Sequence, residues 1–249
     1  MLKTNEGAIR VPVRLVNLAS VTLPGFELVR VPAGEFLYGE DRRKVTLPEY
    51  YIVKTPIINA QYKVFVEATG YRAPGHWAGG QIPRGKENHP VVNVSWEDIQ
   101  AFCRWAGLRL PTEAEWEKVA RGTDGRKYPW EDAEPTAELC NFDMNVKDTT
   151  MVERYSPAGN SPYGCAEVAG NVWEWTGGLW GKDWAKPAFG YPYVAGDGQE
   201  DQTAGTDVLR VVRGGSWYSF QWVVRAADRS RFLPDSRYVG LGFRCVLSP

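Results

Sequence analysis

The sequence predicts an α+β fold with few short helices, a small twisted antiparallel sheet and much ordered loop. Helix start and stop signals occur only between residues 59 and 122, whereas the segments on either side alternate apolar residues with turn formers, as short strands do. Gly and Pro supply 26 and 17 of the 249 residues, so turns are frequent. The Gly-rich connection 179–207 is unusually long for a compact domain, which favours a functional or ligand-held segment.

Three segments carry the signals of an α-helix. Asn59 is the predicted cap of the first helix. Ser95 and Asp98 have the spacing of a capping box, in which the hydroxyl accepts from a first-turn amide and the acid reaches back. Thr112 and Glu115 repeat that spacing. A glycine that ends the helix follows each segment, at Gly70, Gly107 and Gly122.

The length and the mixed composition indicate one domain. We expect residues 1–25 to form an N-terminal segment packed on a domain of residues 26–249. The 29 Lys and Arg residues balance 30 Asp and Glu residues to a net charge of −1, which argues against a nucleic-acid partner. No stretch is apolar enough to span a membrane.

The N-terminal sequence does not resemble a signal peptide. Arg10, Arg14 and Asn17 interrupt the apolar core that a signal peptide needs. A cytoplasmic location is therefore the default expectation, with export or association with a phage by another route left open. The four cysteines, at 103, 140, 165 and 245, include no C-x-x-C pair, so we expect reduced, buried thiols.

Several long motifs follow one another in a fixed order. They are FLYG from Phe36, HPVVNVSWEDIQAFCRWAGLRLPTEAEWEKVARG from His89, YPW from Tyr128, AGNVWEWT from Ala169, RVVRGGSW from Arg210 and GFRCV from Gly242. From about Phe26 to the C terminus these motifs resemble the formylglycine-generating-enzyme, or sulfatase-modifying-factor, domain. The resemblance implies a variant of the C-type lectin fold.

The resemblance also bears on catalysis. Enzymes of that family oxidise a substrate cysteine with a copper ion held by two cysteines just after the RGGSW motif. Here the 218–225 segment that follows the motif has no cysteine, and Cys245 belongs to the terminal motif. Copper(I) needs soft thiolate ligands. A related branch holds non-haem iron with three histidines, and this chain has only His76 and His89. We therefore expect no catalytic cofactor and no enzyme activity.

The C-terminal tract, residues 213–246, resembles the variable region of proteins diversified by retroelements. In such proteins, adenines of Asn-type codons are replaced at random within an invariant frame. The frame here comprises RGGSW from Arg213, then Arg225, Ala227, Arg229, Pro234, Asp235, Arg237 and GFRCV from Gly242. The candidate ligand-binding positions are Tyr218, Ser219, Phe220, Trp222, Val223, Asp228, Ser230, Phe232, Leu233, Ser236, Tyr238, Val239 and Gly240.

The residue types at these positions fit that mechanism. All except Trp222 are reachable from AAC or AAT by changing adenines alone, and Trp222 is reachable from an AGG codon. None of the other twelve is Lys, Glu, Gln or Met, which codons with a final pyrimidine cannot encode. The codon pattern therefore favours a diversified tract.

Five large rings lie within 21 residues of this tract, at positions 218, 220, 222, 232 and 238. Rigid rings among small polar residues are typical of a paratope, and Trp and Tyr dominate binding hot spots. The competing interpretation places the rings in the core, because the i,i+2 spacing of Tyr218 and Phe220 fits one face of a strand equally well. The turn-like sequence between Phe232 and Tyr238 favours exposure.

The resemblance further implies two calcium sites, since calcium prefers oxygen ligands. The first set is Glu167, Gly170, Val172 and Glu174, and the second is Asn141, Phe142 and Asp148. Glu167 replaces the commoner Asn or Asp. Alternatively, Glu174 is a buried carboxylate that accepts hydrogen bonds from backbone amides. If calcium binds, we expect it to be a structural ion.

These observations predict a non-catalytic ligand-binding protein whose tract is a diversified surface for an unknown protein or other macromolecule. Two alternatives remain open. One is a metal-dependent oxidase or enzyme-derived domain of the resembling family. The other is a structural or interaction module of a phage or surface assembly.

Overall fold

The computed structural model describes residues 25–190 and 193–247, together with the backbone of residues 8–11. Most of the 1–25 segment therefore lies outside the described residues. Its one described strand pairs antiparallel with the strand that begins at Phe26, with Ala8 opposite Val29 and Val11 opposite Phe26.

Within the described ranges the chain forms ten strands and three α-helices. The strands are β1 (Ala8–Val11), β2 (Phe26–Val31), β3 (Gly34–Tyr38), β4 (Arg43–Leu47), β5 (Tyr50–Val53), β6 (Trp173–Gly181), β7 (Leu209–Arg213), β8 (Arg229–Phe232), β9 (Leu241–Phe243) and β10 (Val246–Leu247). The helices are α1 (Asn59–Thr69), α2 (Trp96–Ala106) and α3 (Glu113–Arg121), with a 3₁₀ turn at Ala78–Gly80. The predicted α+β fold with few helices and much loop is confirmed. None of the described helices has the length and apolarity that crossing a membrane requires.

The described strands form two four-stranded sheets and the β3–β4 hairpin. The first sheet has the order β1–β2–β5–β10 and is antiparallel throughout. The second has the order β8–β7–β6–β9, in which β6 and β9 run parallel and the other pairs antiparallel. One pairing thus departs from the predicted antiparallel sheet. A parallel pair needs a long connection, and β7, β8 and the tract loops provide it between β6 and β9.

The two predicted capping boxes are present. Ser95 Oγ accepts from Asp98 N, and Asp98 Oδ2 accepts from Ser95 N at 2.9 Å. Thr112 and Glu115 make the same pair of bonds at the start of α3. Glycines in the predicted places end all three helices.

The predicted cap of α1 is wrong by one residue. Ile58 occupies the cap position, and its amide donates to the Gln61 side chain at 3.0 Å. Asn59 is already helical, and its side-chain amide donates to the Lys86 carbonyl at 2.8 Å. The side chain that was expected to cap the helix thus bonds to a loop that is distant in sequence. Local sequence does not reveal this contact.

A buried ion pair joins β6 to the C-terminal segment. Arg244 donates to both carboxylate oxygens of Glu174, at 2.6 and 2.7 Å, and both side chains are fully buried. The same guanidinium donates to the carbonyls of Lys54 and Ala166, at 3.0 and 2.8 Å. The indole of Trp116 on α3 donates to Glu174 at 2.7 Å. A single pair therefore connects both sheets, α3 and the loop before β6.

We expect Arg244→Met to lower the free energy of unfolding by about 3–5 kcal/mol, because Glu174 would stay buried with only an indole donor. Urea unfolding measures the change. The control is Arg30→Met, which removes an exposed pair with Glu49 and should change the free energy of unfolding far less, because solvent screens an exposed ion pair. Equal losses in the two variants would show that the buried pair contributes no more to stability than an exposed pair.

Candidate recognition face

Two loops of the tract, residues 214–228 and 233–240, lie on either side of β8. Residues of the sequence motifs form backbone hydrogen bonds to both loops. Trp217 N donates to the Asn171 carbonyl at 3.0 Å, and Trp173 N donates to the Gly240 carbonyl at 2.8 Å. The AGNVWEWT segment therefore positions both loops.

The candidate positions divide by exposure. Six are exposed: Tyr218, Phe220, Trp222, Leu233, Tyr238 and Val239, with between 36% and 58% of their surface accessible. Five are half-buried: Val223, Asp228, Ser230, Phe232 and Ser236. Two are buried: Ser219 and Gly240. We call the six exposed residues the recognition face.

The rings of the face form two local groups. Phe220 and Trp222 stack with centroids 4.7 Å apart and planes inclined by 21°. Tyr238 packs against the half-buried Phe232 at 5.0 Å, and Phe232 in turn meets the core ring of Trp175 at 6.2 Å. Four of the five predicted rings are thus exposed, and Phe232 links them to the core.

The two buried candidates have structural contacts. The Ser219 hydroxyl accepts from Ser216 N at 3.0 Å, which closes the turn before Phe220. A Cβ on Gly240 would lie 2.5 Å from the Tyr218 ring, so that ring occupies the space a side chain would need. The side chains at positions 218 and 240 are therefore sterically coupled.

Most arginines of the tract form ion pairs within the domain. Carboxylate partners are present for Arg225 (Glu40 and Asp228), Arg229 (Glu113), Arg237 (Asp98) and Arg244 (Glu174). Burial raises the pKa of Asp228 to about 6, although the nearby guanidiniums of Arg225 and Arg213 oppose that change. Burial would also raise the pKa of Glu113, but Arg229 and Arg213 hold it below its ordinary value. These cations hold the tract on the domain.

Two exposed apolar residues next to the tract were missed. Met144 has 50% and Val146 36% of its surface exposed. Met144 N donates to the Trp217 carbonyl at 2.7 Å, and Asp143 N donates to the Ser219 carbonyl at 2.8 Å. No periodicity or motif in the segment marks these residues, because only the fold brings residues 143–146 beside residues 217–219.

The first calcium set does not fit a calcium ion as it stands. Both oxygens of Glu174 are taken by Arg244 and Trp116, and the Gly170 carbonyl accepts from Val172 N at 2.8 Å. Glu167 Oε1 accepts from a backbone amide, which leaves Oε2 as a buried oxygen without a partner. Calcium takes six to eight oxygens, more than this arrangement leaves free.

Most oxygen atoms of the second calcium set already accept hydrogen bonds within the protein. Asp148 accepts from Lys86 Nζ at 2.7 Å and from Thr149 N at 2.7 Å. The Asn141 carbonyl accepts from Asn171 N and the Phe142 carbonyl from Asn145 N. Only Asn141 Oδ1 is buried without a partner. Among the described residues no cluster of His, Cys, Asp or Glu could hold a metal, and calcium stays a prediction from the resemblance.

All four cysteines are free and buried, as predicted. Burial raises the pKa of Cys165 to about 11 and that of Cys140 to about 12, so both are thiols at neutral pH. The sulfur atoms of Cys103 and Cys245 lie 3.6 Å apart in the core. The 218–225 segment contributes no thiol to the surface.

A sequence model of the "Sulfatase-modifying factor enzyme 1-like domain" matches residues 16–249. The chain belongs to this family. Its sequence is 34% identical to the formylglycine-generating enzyme of Streptomyces coelicolor, over 88% of each chain. It is 30% identical to the hercynine oxygenase of Mycolicibacterium smegmatis, over 87% of this chain and 60% of that protein. The resemblance inferred from the motifs is confirmed.

The fold is also shared with solved structures. Treponema denticola variable protein 1 superposes with a TM-score of 0.69 at 23% identity, covering 92% of this chain and 98% of that one. At this identity the likeness establishes the fold. The C-type lectin variant predicted for this sulfatase-modifying-factor family member is therefore confirmed.

The expectation that the chain is not an enzyme is wrong. Relatives that are 30–34% identical to it over most of its length are named as enzymes. That expectation rested on one missing cysteine pair after the RGGSW motif. The absence of one set of metal ligands bears on one mechanism and not on the chemistry of a whole family.

We expect Gly240→Ala to lower the free energy of unfolding by about 1–3 kcal/mol, because the new methyl group would overlap the Tyr218 ring. The loss should shrink in a Tyr218→Ser background, where the ring is gone. Urea unfolding of the single and double variants measures this coupling. Additive losses would contradict it.

We expect Glu167→Gln to stabilise the protein at pH 8 more than at pH 4.5. Burial raises the pKa of Glu167 to about 8, although Arg244 opposes this. An unfolded Glu ionises near its ordinary pKa of about 4.5, so the folded state loses stability as the pH rises between these values. Thermal unfolding at both pH values, with and without calcium chloride, measures the difference. A rise in thermal stability on adding calcium that only the wild type shows would support calcium binding at Glu167. A stability difference between wild type and variant that does not change with pH would contradict the raised pKa of Glu167.

Proposed function

We propose that this protein binds a macromolecular ligand through the recognition face and that the tract is diversified, as in the variable proteins of retroelements. The observation that carries the proposal is the concentration of exposed apolar side chains. Of the eleven large hydrophobic residues exposed in the described structure, six lie in the tract between Tyr218 and Val239. Apolar side chains clustered in this way mark interaction sites.

The separation of frame and candidate positions supports diversification. The frame residues Arg213, Gly214, Gly215, Ser216, Ala227 and Arg244 are buried. The candidate positions with the largest side chains are exposed or half-buried. Replacement at most candidate positions would therefore alter the surface and leave the supporting ion pairs and core intact.

The name of one structural neighbour points in the same direction. The superposed Treponema denticola chain is called a variable protein. The shared fold supplies a scaffold for a variable tract, and the residue types at the candidate positions are compatible with replacement of adenines in their codons.

The test is to sequence the DNA around the gene. We expect a reverse-transcriptase gene and a near-copy of the 3′ end that differs only at adenines. The differences should fall in the codons for the candidate positions, such as 218, 220 and 222. The codons for frame residues 213–217 and 242–246 are the internal control and should match the copy. The absence of a copy, or differences spread evenly over both classes of codon, would refute diversification.

A second candidate function is oxidation chemistry of the family's enzymes. The relatives named formylglycine-generating enzyme and hercynine oxygenase favour it. The measurement is oxygen uptake with a cysteine-containing peptide or a thiol substrate after separate loading with copper and iron. Uptake that Cys245→Ser abolishes in a folded variant would favour an enzyme, and diversified DNA without uptake would favour the binding protein.

A further inference from the structure

Resting on the proposed function, we propose that the recognition face has a constant part and that its partner is a protein with an apolar centre flanked by Lys or Arg. The constant part is the loop of residues 142–147, which we call the strap. It lies outside the tract, so diversification of residues 213–246 would leave it unchanged.

The strap has three residues in a strained backbone conformation. Asp143, Met144 and Lys147 all have positive φ, at 47°, 57° and 63°. Residues other than Gly rarely adopt this conformation, because the Cβ atom then lies too close to the backbone. Strain of this kind persists only where surrounding contacts hold it, and it is frequent at functional sites.

The contacts that hold the strap come from the tract itself. The amides of Asp143 and Met144 donate to the Ser219 and Trp217 carbonyls, and Asn145 N donates to the Phe142 carbonyl at 3.0 Å. Both tract bonds use backbone carbonyls, which every residue type possesses. The strap should therefore keep its place when the exposed positions of the tract vary, provided that the turn closed by the Ser219 hydroxyl is kept.

The strap adds exposed apolar side chains next to those of the tract. Met144 and Val146 are exposed, and the backbone bonds from residues 143 and 144 to the carbonyls of Ser219 and Trp217 place the strap beside the backbone of Tyr218, whose ring meets that of Trp217 at 5.0 Å. The indole of Trp217 reaches the Val239 carbonyl at 3.4 Å. Methionine is flexible and polarisable, so it adapts to different neighbouring surfaces. The strap would add affinity that does not depend on the tract sequence.

The shape of the surface favours a protein partner. Small ligands are usually enclosed in concave pockets. Cavities of about 300 to 410 Å³ lie elsewhere in the described part of the chain, and residues such as Glu40, Lys54 and Gln100 line them rather than the recognition face, Met144 or Val146. An exposed apolar surface outside such cavities suits the flat contact of a protein interface, with its aromatic and Met-rich centre.

The charges around the surface indicate which kind of residue flanks the apolar centre of the partner. Asp143 and Asp235 are exposed and have no ion pair in the described part of the chain, and the strap's one exposed cation, Lys147, has none either. The arginines of the tract are mostly neutralised by their own carboxylates. Arg231 of the tract also has no ion pair among the described residues, but it is half-buried over the rings of Trp180 and Trp184. The exposed free carboxylates thus outnumber the exposed free cation, and basic side chains on the partner would complement them.

Methyl NMR tests the proposal, because the chain has only three methionines, Met1, Met144 and Met151. Met151 is the matched control: its exposure of 49% equals that of Met144, but it lies beside the Lys54 and Glu153 cavity. The probe is the peptide Lys-Leu-Phe-Leu-Lys, acetylated and amidated, with a Glu-flanked peptide for comparison. The protein carries ¹³C-methyl methionine and ¹⁵N, so the Trp222 indole is observed in the same sample.

We expect the Lys-flanked peptide to shift the Met144 methyl and Trp222 indole signals, and both shifts should saturate with the same dependence on peptide concentration. The Met151 methyl signal should not move. Met144→Ala should weaken binding about fivefold, the equivalent of 1 kcal/mol, and Met151→Ala should not. The Glu-flanked peptide should bind at least about threefold more weakly.

Each contrary result has a distinct meaning. If the Trp222 signal moves and Met144 does not, or if Met144→Ala binds normally, the strap is not part of the face, while the proposed face stands. If the Glu-flanked peptide binds equally well, the basic flanks are refuted. If neither signal moves, both the composite surface and the proposed face fail.

Discussion

The buried pair of Glu174 and Arg244 connects segments that lie far apart in the chain. Arg244 is close to the C terminus, yet it bonds to β6 and to the carbonyls of residues 54 and 166. Trp116 brings α3 to the same carboxylate. Charges in a protein interior are tolerated when they are paired and fully hydrogen-bonded. In a fold with so little regular secondary structure, this pair replaces many of the contacts that longer helices or strands would make.

A second cluster of buried ion pairs connects the neighbouring strand β7 to α3 in the same way. Arg213 at the end of β7 pairs with Glu113 and Glu117 of α3, and Arg229 of β8 also pairs with Glu113. The charged frame of the tract is thereby anchored in the interior. Its loops are free to present side chains outward because their ends are secured from within. Family members with different activities can share such a scaffold, since function resides in the loops placed on it.

The candidate face was predicted in part from the sequence. Five rings were expected to be exposed, and those at 218, 220, 222 and 238 are. Phe232 is half-buried against Trp175, although it flanks the turn that favoured its exposure. The strap could not be found in this way. Met144 gains its position from two backbone bonds to residues about seventy positions later. The burial of Gly240 depends equally on the distant Tyr218 ring.

The sequence by itself determined the helices α2 and α3 with their caps and terminal glycines, and the family. These features depend on short-range chemistry or on ordered motifs. Only the tertiary structure decided the parallel pairing of β6 with β9, the use of Glu174 by Arg244 rather than by backbone amides, and the surface shared by strap and tract. Each of these joins residues distant in sequence, and local preferences carry no information about which distant partner a group will meet.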